Sequence, residues 1–161
     1  MRISEFRKLT ARQRASYDRA LEALHLMRRE GRSLRAAARE VGADPRTVSK
    51  YIRPALRRDP RTGEWRPKPQ DNLLREVRYT TPEGRTETVL VRGSEEARKV
   101  ADWQSAVLHF QRTGDDRYLR GLRYRTFVDA HGRRHRLPTD PAQIEQWSET
   151  GQIDIEEVQT P

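Results

Sequence analysis

The sequence predicts two small folded units: an all-α unit of three helices at the N-terminus and a small α+β domain at the C-terminus. Hydrophobic residues make up 34% and charged residues 35% of the 161 residues, which is too polar for one large core. The apolar periodicity changes from helical to alternating near Leu73. Residues 1–70 hold 19 Lys and Arg against 8 Asp and Glu, whereas residues 71–161 hold 14 against 16. The positive charge therefore belongs to the N-terminal part.

The first predicted element is a helix over residues 10–31. Thr10 is a favourable N-cap, and Gly31 is the expected C-terminal stop. Apolar residues step by three and four along this segment, so one face of the helix is expected to be buried. These residues are Tyr17, Leu21, Leu24 and Met27.

Two helix breakers lie inside residues 33–52, "SLRAAAREVGADPRTVSKYI". Ser33 caps a predicted helix over 34–41, and Gly42 ends it because glycine enters the left-handed region without steric cost. Asp44 then caps a following helix, with Pro45 in its first turn. Ala38 allows the helices to cross closely, and Val41, Val48 and Ile52 are expected to face inward.

This run resembles the helix-turn-helix of resolvase-like and Hin-like recombinases and of many phage and bacterial regulators. The resemblance covers about 45 residues, roughly 10–53, and it implies a trihelical fold and DNA binding. No other part of the chain matches recombinase chemistry. A helical hairpin that serves only as a scaffold is the alternative.

The expected DNA contacts follow from the position of each residue in this motif. In a helix-turn-helix, the N-terminal part of the third helix enters the major groove and contacts base edges. The expected base-contacting residues are Arg46, Thr47, Ser49 and Lys50. The expected phosphate-contacting residues are Ser33, Arg35, Arg53, Arg57, Arg58, Arg61, Arg66 and Lys68. For any single arginine, a solvated surface charge is the alternative.

Residues 1–53 are the predicted helix-turn-helix domain. Residues 54–72 are predicted to be a basic, proline-rich linker or arm with the sequence "PALRRDPRTGEWRPKPQDN". An extended arm or a short wing could follow phosphates or enter a minor groove. A solvated linker with Trp65 packed on the helices is equally compatible with the sequence.

Residues 73–150 are predicted to form the small α+β domain, in which two β-hairpins are each followed by a helix. Alternating runs flank residues 81–84, and a helix over 94–113 follows. After a short helical turn, a second hairpin turns near residues 130–132, and a closing helix begins after Asp140. Residues 151–161 form a predicted acidic tail.

The helix over 94–113 has an unusually wide apolar face, which includes Val100, Ala101, Trp103 and Phe110. This face is wide enough to form two adjacent apolar stripes. One stripe suffices to pack on the hairpins, so another element must cover the second stripe. The closing helix, with Ile144 and Trp147, is one candidate. The same helix of a second copy is the other, and it leads to an expected homodimer or another protein partner.

The sequence gives no support for a metal site, a membrane partner or enzymatic activity. The chain has no cysteine, and no apolar run approaches the length of a membrane span, so we expect no thiolate metal site and no membrane partner. Asp129, His131 and His135 resemble a metal-binding set in composition, but three neighbouring arginines would repel a cation. We therefore expect no cofactor, no metal and no enzymatic activity.

The sequence thus favours a cytoplasmic, nucleoid-associated protein that binds specific double-stranded DNA, and a bacterial or phage transcription regulator is the leading hypothesis. A phage or mobile-element accessory protein for DNA packaging or recombination is one alternative. A ribosome-associated or RNA-associated protein is another, because Trp65 could stack on unpaired bases.

Overall fold

The computed structural model describes residues 1–149, and it divides after Leu73 into two compact units that are described separately below. The described residues contain seven α-helices and three two-stranded antiparallel sheets. The protein is therefore a mixed α+β structure, as the sequence predicts. None of the described helices has the length and apolar character required to span a membrane. The predicted acidic tail, 151–161, lies outside the described residues.

The N-terminal unit begins with four helices: α1 (Ile3–Arg7), α2 (Ala11–Glu30), α3 (Leu34–Glu40) and α4 (Pro45–Ile52). The predicted boundaries of α2 are confirmed, since the Thr10 hydroxyl accepts a hydrogen bond from the Gln13 N–H and Gly31 adopts a φ of 66°. Helix α1 is too short to show periodicity in the sequence. It is held by Phe6, whose ring meets the ring of Tyr17 edge-on, 5.4 Å between centroids.

Alanines allow α2, α3 and α4 to pack closely. Ala20, Ala23, Ala37 and Ala38 are fully buried, and larger side chains fill the space between them: Leu24, Met27, Val48 and Ile52. Leu21 and Val41, which were expected inside, are only partly buried at the edge of this core. Val41 lies at the edge because α3 ends at Glu40, so Val41 is already the C-cap residue.

A small hairpin follows α4. A 3₁₀ turn, Arg53–Ala55, leads into β1 (Leu56–Arg58), which pairs with β2 (Trp65–Pro67). Ala55 and Leu56 are buried in the core of the N-terminal unit, and Trp65 packs against that core. We call residues 56–67 the wing. Of the arrangements that the sequence left open for this segment, the structure has the short hairpin.

The C-terminal unit contains a hairpin followed by a helix twice. Its elements are β3 (Leu74–Thr80), β4 (Thr86–Arg92), α5 (Ser94–Thr113), α6 (Arg117–Arg120), β5 (Thr126–Val128), β6 (Arg134–Arg136) and α7 (Pro141–Glu149). Hairpins β3–β4 and β5–β6 do not pair with each other, so the unit has two separate ribbons instead of one sheet. Helix α5 contacts both ribbons and α7, which places it at the centre of the unit.

The wide apolar face of α5 is covered within the chain. The Trp103 side chain is 1% exposed, its Nε1–H donates to the Pro138 carbonyl at 2.6 Å, and its ring meets that of Trp147 at 6.4 Å. Ile144 of α7 is fully buried in the same core. The closing helix, and not a second copy, therefore covers the stripe that includes Trp103. Ala101, which was expected in the core, is exposed.

Candidate nucleic-acid interface

Helix α4 presents basic side chains to solvent because its other face is anchored. The Asp44 carboxylate accepts a hydrogen bond from the Arg46 N–H at 2.7 Å, which fixes the start of the helix. Val48 and Ile52, four residues apart, are both completely buried. Arg46 and Lys50 lie on another face and are exposed, also four residues apart.

The other two expected base-contacting residues behave differently. Thr47 is partly exposed, so its hydroxyl and methyl groups are accessible beside Arg46. Ser49 is only 9% exposed, and its hydroxyl accepts a hydrogen bond from Arg53 Nη2 at 3.3 Å. The helical spacing contained the signal for this correction, because Ser49 lies three residues before the buried Ile52. Ser49 therefore supports Arg53 instead of forming part of the exposed surface.

Trp65 connects the end of α4 to the wing. The Arg53 guanidinium lies over the indole ring, 4.8 Å from its centroid, and the Arg58 guanidinium lies 4.6 Å from it. Such cation–π contacts hold two long, flexible side chains in defined positions. The three residues, which we call the Trp65 stack, fix two exposed cations at the junction of α4 and β1.

The strand register determines where the arginines of the wing point. Leu56 pairs with Pro67, Arg57 with Arg66, and Arg58 with Trp65. Since side chains alternate across a strand, Arg57 and Arg66 lie on the face opposite Leu56, away from the core. The wing thus has arginines on both faces.

The arginines of the wing differ in how much of their charge is compensated. Arg66 forms ion pairs with Asp59, at 3.3 Å, and with Glu64, at 3.5 Å. The Arg61 backbone N–H and the Arg66 side chain both donate to Asp59 and hold the pKa of its carboxyl below the usual value. Arg57 has no carboxylate partner among the described residues. It is therefore a stronger candidate for phosphate contact than Arg66.

Lys68 has a structural role in addition to its charge. Its Nζ donates to the Pro54 carbonyl at 3.0 Å, and its own carbonyl accepts from Arg28 Nη2 at 2.9 Å. Arg28 also pairs at 2.8 Å with the buried carboxylate of Asp71. These contacts fasten the segment after β2 to α2, which sequence spacing gave no means of predicting.

The start of α3 carries the remaining predicted phosphate-contacting residues. The Ser33 hydroxyl accepts a hydrogen bond from the Ala36 N–H at 3.2 Å, so it caps the helix. A hydroxyl that accepts in this way keeps its own O–H free to donate. Arg35, the second residue of α3, is exposed. Both remain accessible to an anion.

The Asp129–His131–His135 group of the C-terminal unit is a hydrogen-bonded turn. The Asp129 carboxylate accepts from the backbone N–H groups of His131 and Arg133 at 2.8 and 2.9 Å and contacts His135 Nε2 at 2.7 Å. Burial opposes ionisation of Asp129, but these hydrogen bonds outweigh it and hold the pKa of its carboxyl below the usual value.

The contacts of His135 continue inward from this turn. Its ring stacks on Phe127 at 4.9 Å, and its Nδ1 lies 3.0 Å from the Tyr79 hydroxyl. Burial raises the pKa of Tyr79 to about 12, so the phenol stays neutral and can donate to Nδ1. Within the described residues, no three His, Cys, Asp or Glu side chains are grouped to hold a metal ion.

Comparisons with protein-family models, with curated proteins and with solved structures find no significant match to this chain.

Proposed function

We propose that the protein binds specific double-stranded DNA through its N-terminal unit, with α4 in the major groove and the wing along the backbone. The observation that carries this proposal is the pair of exposed residues Arg46 and Lys50 on a helix whose opposite face, at Val48 and Ile52, is buried. The net charge of +11 over residues 1–70 supports a polyanionic partner.

The chemistry of α4 suits base recognition. Arg and Lys side chains donate to the O6 and N7 acceptors of guanine, and a threonine methyl packs against the methyl group of thymine. Arg46, Thr47 and Lys50 are the residues that remain available for such contacts. Ser49 is removed from the set because it is buried.

Sequence-independent affinity would come from the cations that flank α4. A lysine or arginine that neutralises a phosphate releases a condensed counterion, which makes binding favourable and dependent on salt. The candidate cations are Arg35, Arg53, Arg57, Arg58, Arg61, Arg66 and Lys68, and the Ser33 hydroxyl is a neutral candidate donor. Among the described residues, the side chains of Arg35, Arg57 and Arg61 are the least engaged in contacts within the protein.

The Trp65 stack favours duplex DNA over unpaired RNA. Base stacking requires an accessible aromatic face, and two guanidinium groups occupy the indole of Trp65. On a face that a guanidinium covers, a base could stack only after that arginine had moved away. RNA association remains the alternative that the experiment below must exclude.

Transcription regulation in a bacterial or phage context remains our leading biological role, with a nucleoid-associated location. A DNA packaging or recombination accessory would use the same interface. The homodimer expected through Trp103 loses its basis, because α7 covers that side chain. A partner protein of the C-terminal unit would therefore bind on other surfaces.

The test is a comparison of variants on selected and scrambled duplexes. Arg46→Ala and Lys50→Ala are each expected to reduce discrimination between the two duplexes by about 1–3 kcal/mol, because each removes a base contact. Arg57→Ala is the matched control. It removes an exposed arginine that lies on the wing, and it should weaken both duplexes by similar factors.

Fluorescence anisotropy with labelled duplexes and a structured RNA competitor gives the affinities. Equal losses on both duplexes for all three variants would show that α4 does not recognise sequence. Stronger binding to the structured RNA than to the selected duplex would show that the interface binds RNA in preference to DNA.

A further inference from the structure

The C-terminal unit contains a cleft with an excess of positive charge. The cleft has a volume of about 460 Å³ and lies between α6, β6 and the start of α7. Arginines from three different segments line it: Arg120 of α6, Arg125 before β5, and Arg136 of β6. We call this the arginine cleft. It is separate from the candidate DNA-binding surface, which belongs to the other unit.

Among the residues that the structure describes, two of the three arginines have no carboxylate partner. Arg120 forms a 2.6 Å ion pair with Asp116. Within residues 1–149, no carboxylate forms an ion pair with Arg125 or Arg136. Asp140 also lines the cleft, but its Oδ1 accepts from the Ala142 N–H at 3.1 Å and so caps α7. The cleft therefore has at least one unbalanced positive charge.

The surrounding sequence increases this imbalance. Residues 120–136 contain six arginines and one acidic residue, Asp129. The Asp129 carboxylate is buried in its own turn and is occupied by His135 and by two backbone N–H groups. The C-terminal part of the chain carries a net negative charge, so a local run of arginines is unlike its surroundings.

The positions of Arg125 and Arg136 follow from the strand pairing. The Leu137 N–H donates to the Arg125 carbonyl at 2.9 Å, and Arg136 pairs with Thr126. Arg125 thus lies opposite Leu137, just before β5 and one position beyond the Thr126–Arg136 pair, and both arginines line the cleft. The ribbon holds their backbones in a fixed arrangement and leaves the side chains exposed.

Apart from Asp140, the rest of the cleft lining is uncharged. Pro82 and Pro138 add a small apolar part to the lining, and Leu119 is completely buried behind the surface. The Gln143 side chain donates to the Pro82 carbonyl, which ties α7 to the β3–β4 turn and fixes one side of the cleft. The volume of the cleft lies within the range of about 300–1,000 Å³ that is typical of small-molecule sites.

From these features we infer that the arginine cleft binds a small phosphorylated organic molecule. The planar guanidinium group matches the oxygens of a phosphate, and arginine forms paired charge-assisted hydrogen bonds with it. Arg125 and Arg136 hold the phosphate, and Arg120 contributes further positive charge. The organic part of the ligand lies against Pro82 and Pro138.

The experiment titrates ¹⁵N-labelled full-length protein with inorganic phosphate, phenyl phosphate or a short single-stranded oligonucleotide at constant ionic strength. Phenyl phosphate is expected to shift amide signals within residues 119–143 and to bind at least several-fold more tightly than inorganic phosphate. The double variant Arg125→Gln/Arg136→Gln should lower its affinity by about tenfold or more, since it removes two charge-assisted contacts.

Arg134→Gln is the matched control, because Arg134 lies on the same strand as Arg136 but outside the cleft. It should leave phenyl phosphate binding unchanged. Equal losses in both variants, or shifts spread over all exposed arginines, would overturn the inference in favour of unspecific counterion binding. Tighter binding of the oligonucleotide in the cleft would overturn the small-molecule assignment.

This test is independent of the proposed DNA binding. Arg46→Ala and Lys50→Ala lie in the N-terminal unit and should not change the response to phenyl phosphate. Conversely, the double cleft variant should retain its affinity for duplex DNA if the N-terminal unit provides the DNA contacts.

Discussion

At the scale of single residues, burial determines which side chains can serve in recognition. Ser49 and Trp103 both looked available for an external partner when judged from the sequence. In the structure, Ser49 supports Arg53 and Trp103 contacts Pro138 and Trp147. Arg46 and Lys50, which differ little from other arginines and lysines in composition, are distinguished only by their position on an anchored helix.

Trp103→Ala is expected to destabilise the C-terminal unit by about 3–5 kcal/mol, because it removes a large buried side chain and leaves a cavity. Chemical unfolding followed by circular dichroism measures the change. Tyr118→Ala is the control, since Tyr118 is 57% exposed and its removal should cost far less. A folded Trp103→Ala variant of unchanged stability, accompanied by a change in oligomeric state, would restore the dimer hypothesis.

Asp129→Asn should destabilise the C-terminal unit at neutral pH by about 1–3 kcal/mol, because the ionised carboxylate accepts three hydrogen bonds. The folded pKa of Asp129 is lowered, so the unfolded chain binds more protons as the pH falls below about 3.9. The wild-type protein therefore loses this stabilisation in acid. The difference in the free energy of unfolding between wild type and variant should become smaller from pH 7 to pH 3.

Urea unfolding of both proteins at the two pH values gives the comparison. Asp102→Asn is the control, because Asp102 is exposed on α5. The difference in the free energy of unfolding between wild type and Asp129→Asn could instead stay constant down to pH 3. That result would mean that the charge of Asp129 contributes nothing to stability.

At the scale of elements, the short strands and helices are stabilised by contacts with other parts of their unit. The wing has only three residues in each strand, and isolated hairpins of that size are unstable in water. Its stability comes from Leu56 in the helical core, from the Trp65 stack and from the attachment of Lys68 to α2. The same holds for α1, which depends on the packing of Phe6 against Tyr17.

Trp65→Ala is expected to loosen the wing and to weaken binding to all duplexes by similar factors, because Arg53 and Arg58 lose their common support. The two cation–π contacts are worth about 1–2 kcal/mol together. Affinity for selected and scrambled duplexes is the measurement. Trp65→Phe keeps an aromatic face and should retain much of the affinity. Tighter binding by Trp65→Ala would show that the stack blocks the interface.

At the scale of the whole molecule, the chain separates its charge between two units. Residues 1–73 hold 19 Lys and Arg against 9 Asp and Glu, whereas residues 74–161 hold 14 against 15. Each unit also has its own hydrophobic core, so neither needs the other to bury its apolar side chains. A polyanion should therefore bind mainly to the first unit.

A fragment of residues 1–73 is expected to fold and to bind duplex DNA without the C-terminal unit. With about five phosphate contacts, the logarithm of its binding constant should fall against the logarithm of salt concentration with a slope near −4 to −5. Titrations between about 50 and 200 mM salt provide the slope. The fragment 74–161 is the control and should bind far more weakly. A salt-independent affinity of the first fragment would refute an interface based on phosphate contacts.

The sequence by itself determined the local structure: the boundaries of α2, the breaks at Gly42 and Pro45, the two hairpins with their following helices, and the concentration of charge in residues 1–70. These features depend on neighbouring residues, through caps, turn glycines and periodicity. Only the tertiary structure decided that α7 covers Trp103, that Ser49 is buried, that the Arg53 and Arg58 guanidinium groups lie over the Trp65 ring, and that three arginines share one cleft. Such contacts join residues far apart in the chain, and no local pattern specifies which distant side chain will fill a given space.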